Sequence, residues 1–174
     1  MDSGTLIVAA VFIAICIVPF LITGRTYRKH QKQLVQSLNR LAEEQNNKIS
    51  TLETKGNFGI AMDESAGRLF FTRFVGTEIV THSIKLSEYG MCKHNNALRV
   101  LEDGDKVTVR VELIFTPVSI TQNQEVLDLY NEEYDSLTLS GELQVARKWE
   151  ELIAGFLNKK NNKPVHHAGK RKVA

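Results

Sequence analysis

Read for the spacing of apolar positions, the chain changes character three times. Residues 5–22, TLIVAAVFIAICIVPFLI, carry no charge; at a rise of about 1.5 Å per residue such a run is about as long as a bilayer's hydrocarbon core is thick. It predicts a single membrane-spanning helix with Pro19 in its last turn. From residue 25 to about 52 the sequence is rich in Gln, Asn, Lys, Glu and Leu and lacks Pro and Gly, which predicts a second, polar helix. Positions at alternating spacings of four and three are Tyr27, Gln31, Leu34, Leu38, Leu41, Gln45, Lys48 and Leu52, an apolar seam interrupted by polar residues. That pattern suits an amphipathic stalk, and it also allows a weak parallel homodimer.

Beyond residue 57 the period falls to two. Strand-like runs lie at 58–62, 69–74, 78–84, 89–93, 97–101, 106–116 and 125–130, with turn signals at 63–67, 75–77, 95–96 and 103–105. Connections this short predict antiparallel pairing, because parallel neighbours need crossovers of a dozen or more residues. The alternation of Val107, Val109, Val111, Leu113 and Phe115 with Thr108, Arg110, Glu112 and Ile114 is the clearest strand signature. A helix follows, with Ser140 as N-cap, Glu142 in its first turn, and an apolar stripe of Leu143, Ala146, Trp149, Ile153 and Phe156, widened by Leu152 and Leu157, ending near Asn158. Leu113, Phe115, Trp149 and Phe156 are the expected core.

The net charge of +2 conceals a division. Residues 56–157 hold nine Lys/Arg against sixteen Asp/Glu, whereas residues 158–174 hold six Lys/Arg and no acid. An acidic body argues against nucleic acid as a partner, since phosphates are paired by clustered cations on a folded face. The basic flanks are Arg25, Arg28, Lys29 and Lys32 after the apolar run, and Lys159, Lys160, Lys163, Lys170, Arg171 and Lys172 in the tail. Cations after the run and none before it place the N-terminus outside and the body in the cytoplasm of a cell-membrane protein. A cleavable signal fits less well, because Asp2 precedes the run and four cations follow it. Basic flanks also make anionic lipids candidate partners, at about 1 kcal/mol per cation near the surface.

Seven short antiparallel strands followed by one amphipathic C-terminal helix bearing Trp149 resemble the pleckstrin-homology-like (PH-like) domain family, over residues 57–158. The resemblance implies a bent seven-stranded barrel capped by the helix, with Trp149 in its core. With the apolar run added, the chain resembles bacterial single-pass membrane proteins carrying such a domain. The implied organisation is an anchor at 1–24, a helical, weakly coiled-coil stalk at 25–55, the PH-like barrel and helix at 56–158, and a disordered basic tail at 159–174. Family members that bind phosphoinositides place cations around the first hairpin; here that loop is Asp63-Glu64-Ser65-Ala66-Gly67, followed by Arg68 and Arg73, and the acids disfavour a headgroup there.

Candidate chemistry is sparse. Cys92 and His94, with His82, fall short of the ligand set zinc requires, and a buried thiol and a half-exposed imidazole are the simpler reading. Asp103-Gly104-Asp105 resembles the start of a calcium loop, but Ile114 stands where the twelfth-position Glu belongs. Glu132, Glu133 and Asp135 look solvated. No nucleophile elbow, phosphate loop, dinucleotide fingerprint or HExxH pattern occurs. The expectation is a membrane-tethered, non-catalytic interaction or scaffold module without cofactor or metal, acting on an unknown protein partner. A peripheral anionic-lipid sensor and an enzyme with an unrecognised site stand as alternatives.

Overall fold

A computed structural model describes residues 12–13, 27–135 and 139–161. The elements are a helix α1 at residues 27–44, then strands β1 (Thr51–Lys55), β2 (Phe58–Asp63), β3 (Arg68–Val75), β4 (Glu78–Lys85), β5 (Tyr89–Val100), β6 (Lys106–Pro117) and β7 (Glu125–Asn131), and a helix α2 (Glu142–Asn161). A 3-10 turn, Leu86–Glu88, separates β4 from β5. The strands form two antiparallel sheets, β1-β2-β3-β4 and β5-β6-β7. Two compact units result: one takes the described residues up to Met62 together with Phe70–Ser83, the other takes Asp63–Leu69 and the described residues from Ile84 onward.

In the first unit α1 is a structural layer. Leu34, Leu38 and Ala42, spaced by four, are 0%, 0% and 2% exposed, and Leu38 and Ala42 pack with Ala61 of β2 and Phe70 of β3 in one cluster that Leu41, Ile49 and Leu52 surround. The approach is close because β2 turns small side chains to the helix: a Cβ added at Gly59 would stand 2.9 Å from Leu38 Cδ1. Ser37 Oγ accepts a 3.2 Å bond from Thr72 Oγ1, and Gln31 Nε2 donates to Gly56 O at 3.0 Å. On the other face of β2 and β3, Phe58, Ile60, Met62 and Phe71 are buried as well, and Phe58 stacks on Phe71 at 5.9 Å. Two buried faces explain why FGIAM reads as a continuous apolar run.

The helix stops far short of residue 52. Asn46 takes φ 54°, and the Asn47 N–H returns to Ala42 O at 2.9 Å, a Schellman-type end in which Asn occupies the left-handed position. Residues 51–55, expected to finish a stalk, instead form β1, paired antiparallel with β2 from Thr51↔Met62 to Lys55↔Phe58. The apolar seam that suggested a coiled coil is occupied by the chain's own sheet.

In the second unit α2 packs on the sheet of β5, β6 and β7. Val111, Leu113 and Phe115 of β6, Cys92 of β5 and Leu127 and Leu129 of β7 are buried, as are Val145, Ala146, Trp149, Ile153 and Leu157 of α2. Trp149 is 0% exposed. Glu142 holds the N-terminal end: its carboxylate accepts from Ser140 N at 2.6 Å and from Ser140 Oγ at 2.8 Å. The helix runs through Asn158 to Asn161.

Two further expectations change. The two runs expected at 89–93 and 97–101 are one strand, β5, whose register with β6 runs through Asn95 and Asn96 and shifts between Ala97 and Leu98. The count of seven strands therefore survives with β1 gained and two runs fused. Neither sheet closes into a barrel among the described residues. The fold is mainly β with a C-terminal helix, in two open sheets.

No described helix is long and apolar enough to cross a membrane. The run at 5–22 lies outside the described residues except for Phe12 and Ile13, which are helical and 65% and 59% exposed.

Candidate functional site

The acidic turn between β2 and β3 is built by one buried carboxylate. Asp63, 3% exposed, accepts at Oδ1 from Ser65 N (2.9 Å), Ser65 Oγ (2.6 Å) and Ala66 N (3.0 Å), an Asx turn that lets the next residues reverse. Gly67 completes it at φ +65°, and a Cβ there would lie 2.9 Å from Phe156 Cζ. Gly67 O in turn accepts from Leu86 N at 2.9 Å, so the 3-10 turn is tied to the β2–β3 turn. Along these two turns and the C-terminal half of α2 runs an open groove of about 710 Å³. Its walls include Glu64, Ser87, Glu151, Leu152, Phe156 and Lys159. Phe156, expected in the core, is half-buried and forms part of this wall, while Leu157 takes the core position.

The second cluster lies between β5 and α2. Cys92 is 3% exposed; burial, with Glu150 adding to it, pushes its thiol up to about 12. A thiol held protonated is neither a nucleophile nor a ready metal ligand. Two residues along β5, His94 Nδ1 meets Glu150 Oε2. His82 belongs to the first unit and rests 6.3 Å from Phe71. Among the described residues no three His, Cys, Asp or Glu side chains converge on a point that could hold a metal ion.

Other carboxylates are tied into local structure. Asp103 Oδ1 accepts from Asp105 N at 3.1 Å and Gly104 has φ 88°, the geometry of a hairpin turn. Asp135 accepts from Asn131 N at 2.7 Å, and Glu132 pairs with Arg99. Glu112, 8% exposed, accepts from Asn95 Nδ2 at 2.9 Å and meets Arg110 at 3.4 Å.

The basic flanks are partly described. Arg28, Lys29 and Lys32 are exposed on the first turns of α1, and Lys159 is exposed near the end of α2, where Lys160 is also helical. Arg25, Lys163, Lys170, Arg171 and Lys172 lie outside the described residues. Of the expected core, Leu113, Phe115 and Trp149 are each 0% exposed. The groove has no local signal in the sequence, because it joins residues 64–67 and 87 to residues 151–159.

No family model matches this chain, and the searches of curated proteins and of solved structures find no match either.

Proposed function

We propose that this chain is a membrane-tethered, non-catalytic interaction module, anchored by residues 5–22 with its folded body in the cytoplasm. One observation carries the reading. The uncharged run and its trailing cations lead into α1, and α1 is buried against the first sheet through Leu34, Leu38 and Ala42. The run ends five residues before Tyr27, where α1 begins, so a tether at 5–22 would hold the body close to the membrane. The exposed cations Arg28, Lys29 and Lys32 at the start of α1 suit the anionic headgroup region.

The buried polar groups support a binding role over catalysis. Asp63, Glu112 and Glu142 make hydrogen bonds that shape turns, a sheet and a helix end, and Cys92 is held as the thiol. Order of elements, antiparallel pairing and a buried Trp149 on a C-terminal helix favour a PH-like relationship as the finer description of the fold. Partner recognition is assigned to edge strands, where unpaired backbone groups accept an added strand; β4, with six of its eight residues exposed, is such an edge.

The test is affinity capture of the full chain from native membranes, compared with an anchor-only control of residues 1–24. Recovery of a defined protein set above the control, lost on blocking the β4 edge with Thr81→Pro, supports the reading. Equal recovery by the control refutes it.

A further inference from the structure

The charges of α1 are sorted along its length. Arg28, Lys29 and Lys32 are exposed on its first two turns, whereas both of its acids, Glu43 and Glu44, stand in the last. Asp2 apart, the chain has no Asp or Glu before Glu43. The last turn of a helix favours cations over anions, so this order is not one that the stability of α1 selects. Arg40, beside the acids, pairs with Glu44 at 2.9 Å. Arg28, Lys29 and Lys32 make no ion pair among the described residues.

The fold brings a fourth cation to the same end of the first unit. Gln31 Nε2 donates to Gly56 O at 3.0 Å, which sets the β1–β2 turn beside the second turn of α1, and Lys55 immediately precedes that glycine. The end of β3 lies there too, because the Phe74 N–H donates to Asn57 O at 2.8 Å and the Phe74 ring meets His30 at 4.9 Å. Lys55 is half-buried and likewise makes no ion pair among the described residues. Of the acids nearest in the chain, Glu53 has an interaction of its own, and Glu78 begins β4, at the opposite edge of the sheet from β1. Tyr27 and Val75 are exposed at this end. It is also the end nearest the uncharged run: the five residues from 22 to Tyr27 span at most about 18 Å of extended chain.

We propose that this end of the first unit, through Arg28, Lys29, Lys32 and Lys55 together with Tyr27, is a docking surface for the anionic headgroups of a bilayer, on which the unit stands end-on with Glu43 and Glu44 turned away. Docking there rests on the tether at 5–22 and adds to it a dependence on lipid charge: the tether keeps the body near any bilayer, and the four cations hold it against an anionic one. Ammonium and guanidinium groups pair with headgroup phosphates and carboxylates, and a Tyr suits the boundary between headgroups and hydrocarbon.

The experiment uses the full chain in lipid nanodiscs, with Cys16→Ser and one cysteine carrying a fluorophore. The reporter is Thr77→Cys, in the β3–β4 turn at the cationic end, or Glu43→Cys, about 22 Å from Arg28 along α1. Both positions are exposed, and the buried Cys92 thiol, pushed up to about 12, is silent at neutral pH. The discs hold a trace of lipid with a nitroxide headgroup, a short-range quencher, in phosphatidylcholine alone or mixed with phosphatidylserine. Quenching at Thr77 is expected to be strong in the mixture, weak in phosphatidylcholine and lost in high salt, with Glu43 quenched little in either. Each cation is worth about fivefold in the ratio of docked to undocked body, so Lys55→Gln lowers that ratio about fivefold and Lys29→Gln with Lys32→Gln lowers it about 25-fold. Lys55→Arg keeps the ratio, which separates loss of charge from damage to the turn. Quenching at Thr77 that ignores lipid charge, or that survives the Gln substitutions, overturns the proposal and leaves the tether standing. Equal quenching at Glu43 and Thr77 overturns the end-on docking. A chain that does not stay with the discs refutes the tether and this proposal with it.

Discussion

Leu38→Ala tests whether α1 is a layer of the first unit or a stalk that stands apart. Leu38 is 0% exposed and packs against Ala61, Phe70 and Ala42. Its truncation deletes three carbon groups worth about 0.8 kcal/mol each in transfer, and the cavity left behind adds to that, so the loss should be about 3 to 4 kcal/mol. Gly59 supplies the partner test. An added Cβ would stand 2.9 Å from Leu38 Cδ1, with Thr54 Cγ2 at 3.2 Å and Thr72 Cγ2 at 3.4 Å, so Gly59→Ala alone overpacks the interface by about 1 to 3 kcal/mol. In the Leu38→Ala background the nearest clash is gone and the new methyl fills part of the cavity. The double variant should therefore be more stable than the sum of the single losses by at least about 0.5 kcal/mol. Denaturant unfolding followed by far-ultraviolet circular dichroism measures all four corners of the cycle. A Leu38→Ala loss below about 0.5 kcal/mol, the scale of a surface substitution, or strict additivity with Gly59→Ala, would refute the packing described here.

Four further outcomes are expected. Trp149→Ala, at a side chain of 0% exposure, should cost about 3 to 5 kcal/mol in chemical denaturation, and Trp149→Phe much less. Gly67→Ala meets both a φ of +65° and Phe156 Cζ at 2.9 Å; Phe156→Ala should relieve the contact and leave a residue of about 1 kcal/mol from the left-handed backbone, seen as incomplete recovery in thermal unfolding. Asp63→Ala strips acceptors from Ser65 N and Ala66 N and should cost about 1 to 3 kcal/mol, readable as faster amide exchange in the β2–β3 turn. Cys92 has its thiol pushed from 9 up to about 12. The unfolded chain therefore releases this proton first, stability is retained below pH 9, and it falls as pH climbs from 9 toward 12. Cys92→Ala should flatten that part of the stability profile, with Tyr89 and Tyr130, both raised by burial, accounting for what slope remains.

The second unit was legible in the sequence because its signals are local. β6 alternates cleanly, Trp149 and its neighbours repeat at helical spacing, and Gly104 and Gly67 mark the turns they make. The first unit was obscured by tertiary contacts. Leu34 and Leu38 fit a self-associating seam and a sheet-covering face equally well, and only the small Gly59 and Ala61 opposite them decide between the two. β1 was hidden because TLETK is half-buried throughout, leaving no strong contrast between its faces. The stop that separates it from α1, Asn46-Asn47, was readable as a left-handed cap. Asn95-Asn96 misled in the other direction: it reads as a turn, but Asn95 bonds across to Glu112 and the strand continues. The groove was beyond sequence reasoning, since it brings residues 64–67 to residues 151–159 through contacts that no local pattern encodes.

The proposed tether, and the side of the membrane on which the body is proposed to lie, are the central claims to test. The most direct measurement is labelling of a full chain carrying Cys16→Ser and Glu102→Cys with an impermeant maleimide, in intact and permeabilised cells, after checking that the protein resists carbonate extraction. Glu102 is exposed on the β5–β6 hairpin, whereas native Cys92 is buried and reports nothing. Carbonate resistance with labelling only after permeabilisation is the result this account expects. Release by carbonate would contradict the anchor at residues 5–22, and labelling of intact cells would contradict the cytoplasmic placement of the body.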